Sequence, residues 1–387
     1  MQKKNIVLLC LITFLQGMVF YAAVATLYRQ AAGLSVFAIT AIEGISVGLS
    51  LLLEVPWGRI ADRIGYRRTL IVCNALFVVT KIIFWKADGF AGFLAERLLL
   101  AAVISGISGV DAAMLYLSAP PEDAQRHEGW YAAAGEAGVL LSGLLYTFLL
   151  SGRYRDAAGW TVFSYSLAAL LTFFLTEVRP ASRRRPDRSL FALAAEHFRV
   201  PGMAALVLCG ALFLETGHCV TVYFSQLKYL SCGLNDRMIG LAFVAVSSAG
   251  LLSPLSDRLT RRLGIPAAGC GLLLLSAVGM GALSRTGSGL LSVLLIVLIA
   301  AASALFRPLA GALENRLIAV PDRATALSMN AMIGDGLIVL LDMGLGRAAE
   351  HSLNFGFGLC GLCCLTAAGA FALFCRQTGQ RGAAGKS

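Results

Sequence analysis

Two stretches of the sequence, GRIADRIGYRR at residues 58–68 and SPLSDRLTRR at residues 253–262, decide how the chain is organised. Each contains an Asp-Arg pair followed by further basic residues, and each lies between two apolar runs. The pairs begin at Asp62 and Asp257, 195 residues apart, which is close to half of the 387 residues. A repeat with this period indicates two copies of one structural unit.

The composition indicates a membrane protein. Residues of the set AVILMFWYC make up 58% of the chain and charged residues only 14%, whereas an ordinary soluble domain has roughly 25% charged residues. The mean hydropathy is +0.76, and apolar runs of about 20 residues alternate with short polar breaks, as in membrane-spanning helices. We therefore predict an all-α membrane protein with twelve transmembrane helices in two pseudo-symmetric halves of six. The predicted spans are 6–27, 36–57, 68–86, 90–115, 130–150, 159–177, 202–226, 237–256, 265–283, 289–312, 324–346 and 352–375.

The polar stretches between the spans divide the chain into parts. We predict an N-terminal six-helix bundle over 1–177, a basic cytoplasmic linker over 178–201, a C-terminal bundle over 202–375 and a cytoplasmic tail over 376–387. A duplicated six-helix unit is an architecture in which substrate binds near the midplane, between the halves.

The distribution of Lys and Arg predicts the orientation. The side that holds both termini carries 21 basic residues, against 8 on the other side. By the positive-inside rule both termini are cytoplasmic, in the cell (inner) membrane. The net charge of +10 is spread over loops, which argues against nucleic acid as a partner. The linker is the segment placed to contact anionic lipid headgroups.

The segment 58–68 resembles the signature loop that follows helix 2 in the major facilitator superfamily, and a degenerate second copy is also usual there. Residues 54–58, 108–116 and 323–328 resemble a group of bacterial transporters described as putative efflux or general permeases. The resemblance covers essentially the whole chain. It implies the twelve-helix fold and secondary transport, and it favours export over import.

Two interpretations of the signature loop remain open. Gly58 and Gly65 permit a tight turn. The Asp62 carboxylate can accept hydrogen bonds from backbone N–H groups at the start of a helix, or it can pair with an arginine. Such a cluster can lock helices together in one state of a transport cycle, or it can serve only as a topological anchor. The predicted gating residues are Gly58, Asp62, Arg63, Gly65, Arg67, Arg68, Asp257 and Arg258.

Ionisable residues inside the predicted spans are candidates for substrate or ion coupling, because charge within a membrane is costly. Asp111 of the fourth span and Arg307 of the tenth occupy near-equivalent positions of the two halves. They are expected either to pair across a central cavity or to bind neighbours within their own halves.

A second group of candidates lies near mid-depth. Glu215 and His218 are spaced i, i+3, and Asp335 and Asp342 are spaced i, i+7, so each pair shares a helix face. These residues, together with Glu136 of the fifth span, are candidates for proton coupling. The alternative is a hydrogen-bonded structural carboxylate that faces a packing seam.

The sequence contains no motif for an ATP motor, a zinc protease or a serine hydrolase. The tail at 380–387 imitates a P-loop, but Gln380 replaces its first glycine. The pair Cys360 and Cys363 lies within an apolar run, where thiols are expected to pack as small hydrophobic groups. We therefore expect no catalytic residue, no metal site and no cofactor.

The sequence is best interpreted as a monomeric secondary transporter that moves a small molecule by alternating access, with protons as the expected coupling ion and with export as the favoured direction. A proton-coupled or facilitative nutrient importer is the alternative within transport. Alternatives of another class are a membrane receptor that does not transport and an enzyme that modifies lipids.

Overall fold

A computed structural model describes residues 2–107, 110–118, 124–178, 200–317 and 323–384. Throughout these ranges the regular structure is helical. In the first half the α-helices are α1 (Gln2–Gly17), α2 (Ala25–Ala31), α3 (Val36–Ile64), α4 (Tyr66–Lys86), α5 (Gly89–Ile107), α6 (Val110–Ser118), α7 (Ala124–Leu145) and α8 (Tyr154–Thr172). In the second half they are α9 (Met203–His218), α10 (Ser225–Ser231), α11 (Asp236–Ser248), α12 (Ser256–Leu263), α13 (Ile265–Leu283), α14 (Gly289–Leu317), α15 (Arg323–His351) and α16 (Leu353–Ala384).

The helices confirm the predicted fold class. Within the described ranges, ten helical stretches are long and apolar enough to cross a membrane. The two predicted spans outside this group, 159–177 and 324–346, coincide with α8 and α15, which are also helical. Most of the predicted linker lies at 179–199, outside the described residues. The segment predicted as a tail continues α16 as far as Ala384.

The chain forms two compact units. The first contains Met1–Arg183 and Leu234–Val244, and the second contains Arg184–Gly233 and Ala245–Ser387. In the first unit α1 packs against α7 and α8, and α4 packs against α5 and α8. In the second unit α16 packs against α9, α13 and α15. Each unit thus builds its own helical core.

The first predicted span is interrupted, although the sequence predicts one helix over 6–27. Helix α1 ends at Gly17, and a short 3₁₀ turn over Ala22–Val24 leads into α2. Side chains of α8 bind the backbone freed at this break. The Thr161 hydroxyl accepts from the Phe20 N–H at 3.0 Å, and the Ser164 hydroxyl donates to the Met18 carbonyl at 3.0 Å.

Glycines set the distance between α1 and α7. A Cβ atom added at Gly17 would collide with the carbonyl oxygen of Gly135, and one added at Gly138 would collide with the carbonyl oxygen of Phe14. Backbone therefore packs directly on backbone along this contact, which is the common device for close helix association in membranes.

Candidate functional site

A buried thiol between two carboxylates forms the candidate coupling site in the second unit. Cys219 Sγ lies 3.5 Å from Glu215 Oε1 and 3.3 Å from Asp342 Oδ1. Glu215 is 7% exposed, and the other two side chains are fully buried. The ligand atoms of these three side chains all lie within 4.8 Å of one another, close enough to share one cation. Among the described His, Cys, Asp and Glu side chains, this is the only such group.

Three helical segments position this cluster. Glu215 lies in the last turn of α9, and Cys219 opens a π-helical segment, Cys219–Phe224, one turn later. Asp342 comes from α15, which packs against α9. Gly217 lets α9 approach α14 closely, because a Cβ atom there would lie 2.6 Å from Ser303 Oγ. π-Helical segments of this kind occur frequently at functional sites.

The Glu215 carboxylate has no cationic partner within the described ranges. No lysine, arginine or histidine described there approaches it within 4.0 Å. Its hydrogen-bond donor is the Cys219 thiol, which is a weak donor.

The other predicted members of this group lie apart from the thiol. His218 is exposed, and its ring meets Tyr223 edge-on at a centroid distance of 5.5 Å. Asp335 is partly buried and precedes Asp342 by two turns of α15, about 10 Å along the helix. The structure therefore brings together Glu215 and Asp342 and adds Cys219, which the sequence analysis did not select.

The remaining coupling candidates occupy three separate places. Asp111 lies in the first turn of α6 and accepts a hydrogen bond of 2.8 Å from the Tyr131 hydroxyl, within its own unit. Arg307 is exposed on α14, next to Pro308. Glu136 is partly buried on α7.

The signature segment ends in a one-residue turn. Gly65, with φ 91° and ψ 155°, separates α3 from α4, and Gly264, with φ 78° and ψ 157°, separates α12 from α13. Gly58 lies within α3 rather than in the turn, and the side chain of Asp62 lies outside the described part. The turn follows Asp62 by three residues and Asp257 by seven, so the second copy is one helical turn longer.

Glu177 accepts hydrogen bonds at the start of a helix, a kind of contact predicted for Asp62, whose own side chain lies outside the described residues. The Glu177 Oε1 atom accepts from the backbone N–H groups of Tyr66 and Arg67 at 3.0 and 3.4 Å, and so caps the start of α4. The Arg67 guanidinium donates to the Phe173 carbonyl at 2.8 Å. In the second copy, Asp257 instead forms an exposed ion pair of 2.9 Å with Arg261. Arg63, Arg68 and Arg258 are exposed.

Two further groups of buried charges lie in the first unit. Lys81 is 5% exposed; its Nζ donates to the Tyr21 hydroxyl at 3.3 Å and lies 4.9 Å from the centre of the Tyr165 ring. Glu96, 1% exposed, lies near an ion pair of 2.8 Å between Arg97 and Glu43. The sequence shows these charges within apolar helices, but only the structure shows their contacts with Tyr21, Tyr165 and Glu43.

Comparisons with known proteins agree with this architecture. A sequence model of the Major Facilitator Superfamily matches residues 6–341. The fold is similar to the crystal structure of the nucleoside transporter NupG, with a TM-score of 0.79 and 14% identity over 96% of this chain and 98% of that one. It is similar to a D-xylose-proton symporter, with a TM-score of 0.70 and 16% identity over 95% and 96% of the two chains.

A third similar structure is a bacterial homologue of the human lysosomal transporter Spinster, in an inward-facing and occupied conformation. Its TM-score is 0.73, with 18% identity over 96% of each chain. At identities this low, the similar structures show that the fold is shared and nothing more. The family itself is shown by the sequence model, which matches most of the chain. The chain therefore belongs to the Major Facilitator Superfamily, and it is a multi-pass membrane protein of a transporter family rather than of an enzyme family.

Proposed function

We propose that the protein is a proton-coupled secondary active transporter of a small molecule, which works by alternating access. The observation that carries this proposal is the buried cluster of Glu215, Cys219 and Asp342, in which two carboxylates touch one thiol. Membership of a transporter family supplies the context in which a buried ion site of this kind has a use.

The chemistry of the cluster supports a proton as the coupling ion. Two ionised carboxylates this close repel each other in a medium of low dielectric constant, and one shared proton halves their charge. The thiol can donate to either carboxylate. Opening of the site to water on one side of the membrane would stabilise the fully ionised pair and release the proton. Closing of the site would favour the protonated pair. Coupling requires this alternation between release and uptake of a proton.

Export is the proposed direction, because segments of the sequence resemble putative efflux permeases. Uptake is a second candidate, since one of the similar structures is a D-xylose-proton symporter. The two directions differ in the sign of the proton gradient that drives accumulation. We further propose that the protein is a monomer in the cell (inner) membrane with both termini in the cytoplasm.

The proposal is tested with purified protein in liposomes under an imposed pH gradient, screened against a mixed compound library. We expect accumulation of some compound under one sign of gradient and none without a gradient. Asp62→Asn is expected to abolish movement and Glu215→Gln to abolish the response to pH. Glu350→Gln, which breaks an exposed ion pair with Arg347, is the matched control and should leave accumulation unchanged. Ligand binding without movement under any gradient would favour the receptor alternative.

A further inference from the structure

An apolar groove lies on the first unit. It has a volume of about 1150 Å³ and is lined by side chains of α1, of α8 and of the segment that follows α7. Its walls include Leu15, Leu149, Trp160 and Phe163. The last three are more than half exposed, so the groove is open to its surroundings.

A small polar pocket adjoins the groove at one end. It has a volume of about 390 Å³ and shares Arg153, Arg155 and Asp156 with the groove. Asp88 and Tyr154 complete its polar wall. The two cavities therefore form one site with an apolar body and a charged head, which is the shape of an amphiphilic ligand.

The charged head carries both signs. Arg153 pairs with Asp156 at 2.5 Å and Arg155 with Asp88 at 3.0 Å. All four side chains are about half exposed or more, and ion pairs of that kind contribute about 0–1 kcal/mol, so a ligand can replace them at little cost. The Tyr154 hydroxyl donates a hydrogen bond to Asp236 at 2.9 Å. Burial, and to a smaller extent this hydrogen bond, raises the pKa of the Tyr154 hydroxyl. Tyr154 therefore keeps its proton and remains bound to the Asp236 carboxylate.

Two tryptophans place the head at the level of lipid headgroups. Trp85 and Trp160 both line the groove beside its charged end, and tryptophan concentrates at membrane–water interfaces. The Lys86 ammonium stands 4.1 Å from the centre of the Trp85 ring. Beyond the charged residues 153–156, the lining continues on α8 through Trp160 to Phe163 and Ser164.

We infer that this groove is a binding site for a phospholipid whose headgroup carries a phosphate and a primary ammonium, as in phosphatidylethanolamine. The phosphate binds Arg153 and Arg155, the three ammonium N–H groups bind Asp88 and Asp156, and the acyl chains cover the apolar wall. A choline headgroup has no N–H to donate, and an anionic headgroup without an ammonium leaves both aspartates unpaired. This inference does not depend on the proposed transport activity.

The test measures quenching of tryptophan fluorescence by lipids with brominated acyl chains. The full-length Trp57→Phe, Trp130→Phe variant, in which only Trp85 and Trp160 emit, is placed in phosphatidylcholine vesicles. Brominated phosphatidylethanolamine or brominated phosphatidylcholine is then titrated in. We expect half-maximal quenching at about fivefold lower mole fraction of the ethanolamine lipid, the ratio that corresponds to about 1 kcal/mol.

Variants of the charged head separate its two functions. Asp88→Asn with Asp156→Asn is expected to remove the preference for ethanolamine and to leave quenching by the choline lipid unchanged. Arg153→Gln with Arg155→Gln is expected to weaken binding of both lipids, because both carry the phosphate. Glu350→Gln is the matched control, since it breaks an i, i+3 ion pair of the same kind on α15, and it should retain the preference.

Two results would overturn the inference. Equal quenching by the two lipids in the parent protein would mean that the groove contacts lipid without selecting it. If the Asp88→Asn, Asp156→Asn variant still prefers the ethanolamine lipid, then these carboxylates do not recognise the headgroup. Circular dichroism of each variant establishes that the helices are retained.

Discussion

At the scale of single residues, Cys219 is the donor that both carboxylates of the candidate site share. Cys219→Val removes the S–H group and adds about one methyl group of volume, as the control variant also does. Loss of a donor to buried acceptors costs about 1–3 kcal/mol, so we expect a lower midpoint of thermal unfolding. Cys209→Val is the control, because Cys209 is fully buried in α9, the helix that Cys219 directly follows, and no hydrogen bond to a carboxylate involves it among the described residues. Equal losses in the two variants would contradict a special role for the Cys219 thiol.

Glu177 provides a second prediction at this scale, because its carboxylate caps the start of α4. Glu177→Ala removes the acceptor for two backbone N–H groups, and loss of a helix cap costs about 0.5–2 kcal/mol. Glu177→Gln retains an acceptor oxygen and is expected to lose less stability than Glu177→Ala. Thermal unfolding in nanodiscs measures the stability of the parent and the two variants, which we expect to fall in the order parent, Glu177→Gln, Glu177→Ala. If the alanine variant matches the parent, then the cap does not stabilise the turn at Gly65.

At the scale of helices, the contact between α1 and α7 depends on the absence of side chains. Gly138→Ala places a methyl group against the Phe14 carbonyl, so α1 and α7 must separate and neighbouring side chains lose contact. We expect reduced yield of folded protein and a lower unfolding midpoint, measured by size-exclusion chromatography and thermal unfolding. Gly271→Ala is the control, since nothing lies within 4 Å of a Cβ atom added there. A similar outcome for both variants would mean that the close contact is not limiting.

The positions of the helices were largely predictable, because an apolar run of membrane length has no alternative to a helix in lipid. The interruption after Gly17 was not predictable, since it depends on hydroxyl groups of α8 that lie more than 140 residues away. The repeat also does not reveal that its two copies differ in length. The helix that contains Asp257 continues to Leu263, and Gly264 with its positive φ ends it.

The candidate site was half predictable for a similar reason. Glu215 and Asp342 are conspicuous as charges within apolar helices, but their meeting depends on the packing of α9 against α15. Cys219 gave no signal of its own, because a cysteine in an apolar run most often packs as a hydrophobic group. Its spacing of i, i+4 from Glu215 was the one available indication.

At the scale of the whole molecule, the excess of 21 over 8 basic residues predicts that the C-terminus is cytoplasmic. A fluorescent protein that matures only in the cytoplasm should therefore fluoresce when it is fused after Ser387. Alkaline phosphatase fused at the same position should be inactive, because it needs an oxidising compartment. Phosphatase fused after Arg285 is the control and should be active. Phosphatase that is active after Ser387 and inactive after Arg285 would contradict the predicted orientation.

Two assays of one variant distinguish whether Glu215 couples transport to protons. With a compound found by the liposome screen, Glu215→Gln is assayed for exchange of labelled against unlabelled compound and for accumulation driven by a pH gradient. Since glutamine cannot release a proton, we expect that exchange is retained while gradient-driven accumulation is lost. Accumulation at the parental level in Glu215→Gln would contradict this coupling role.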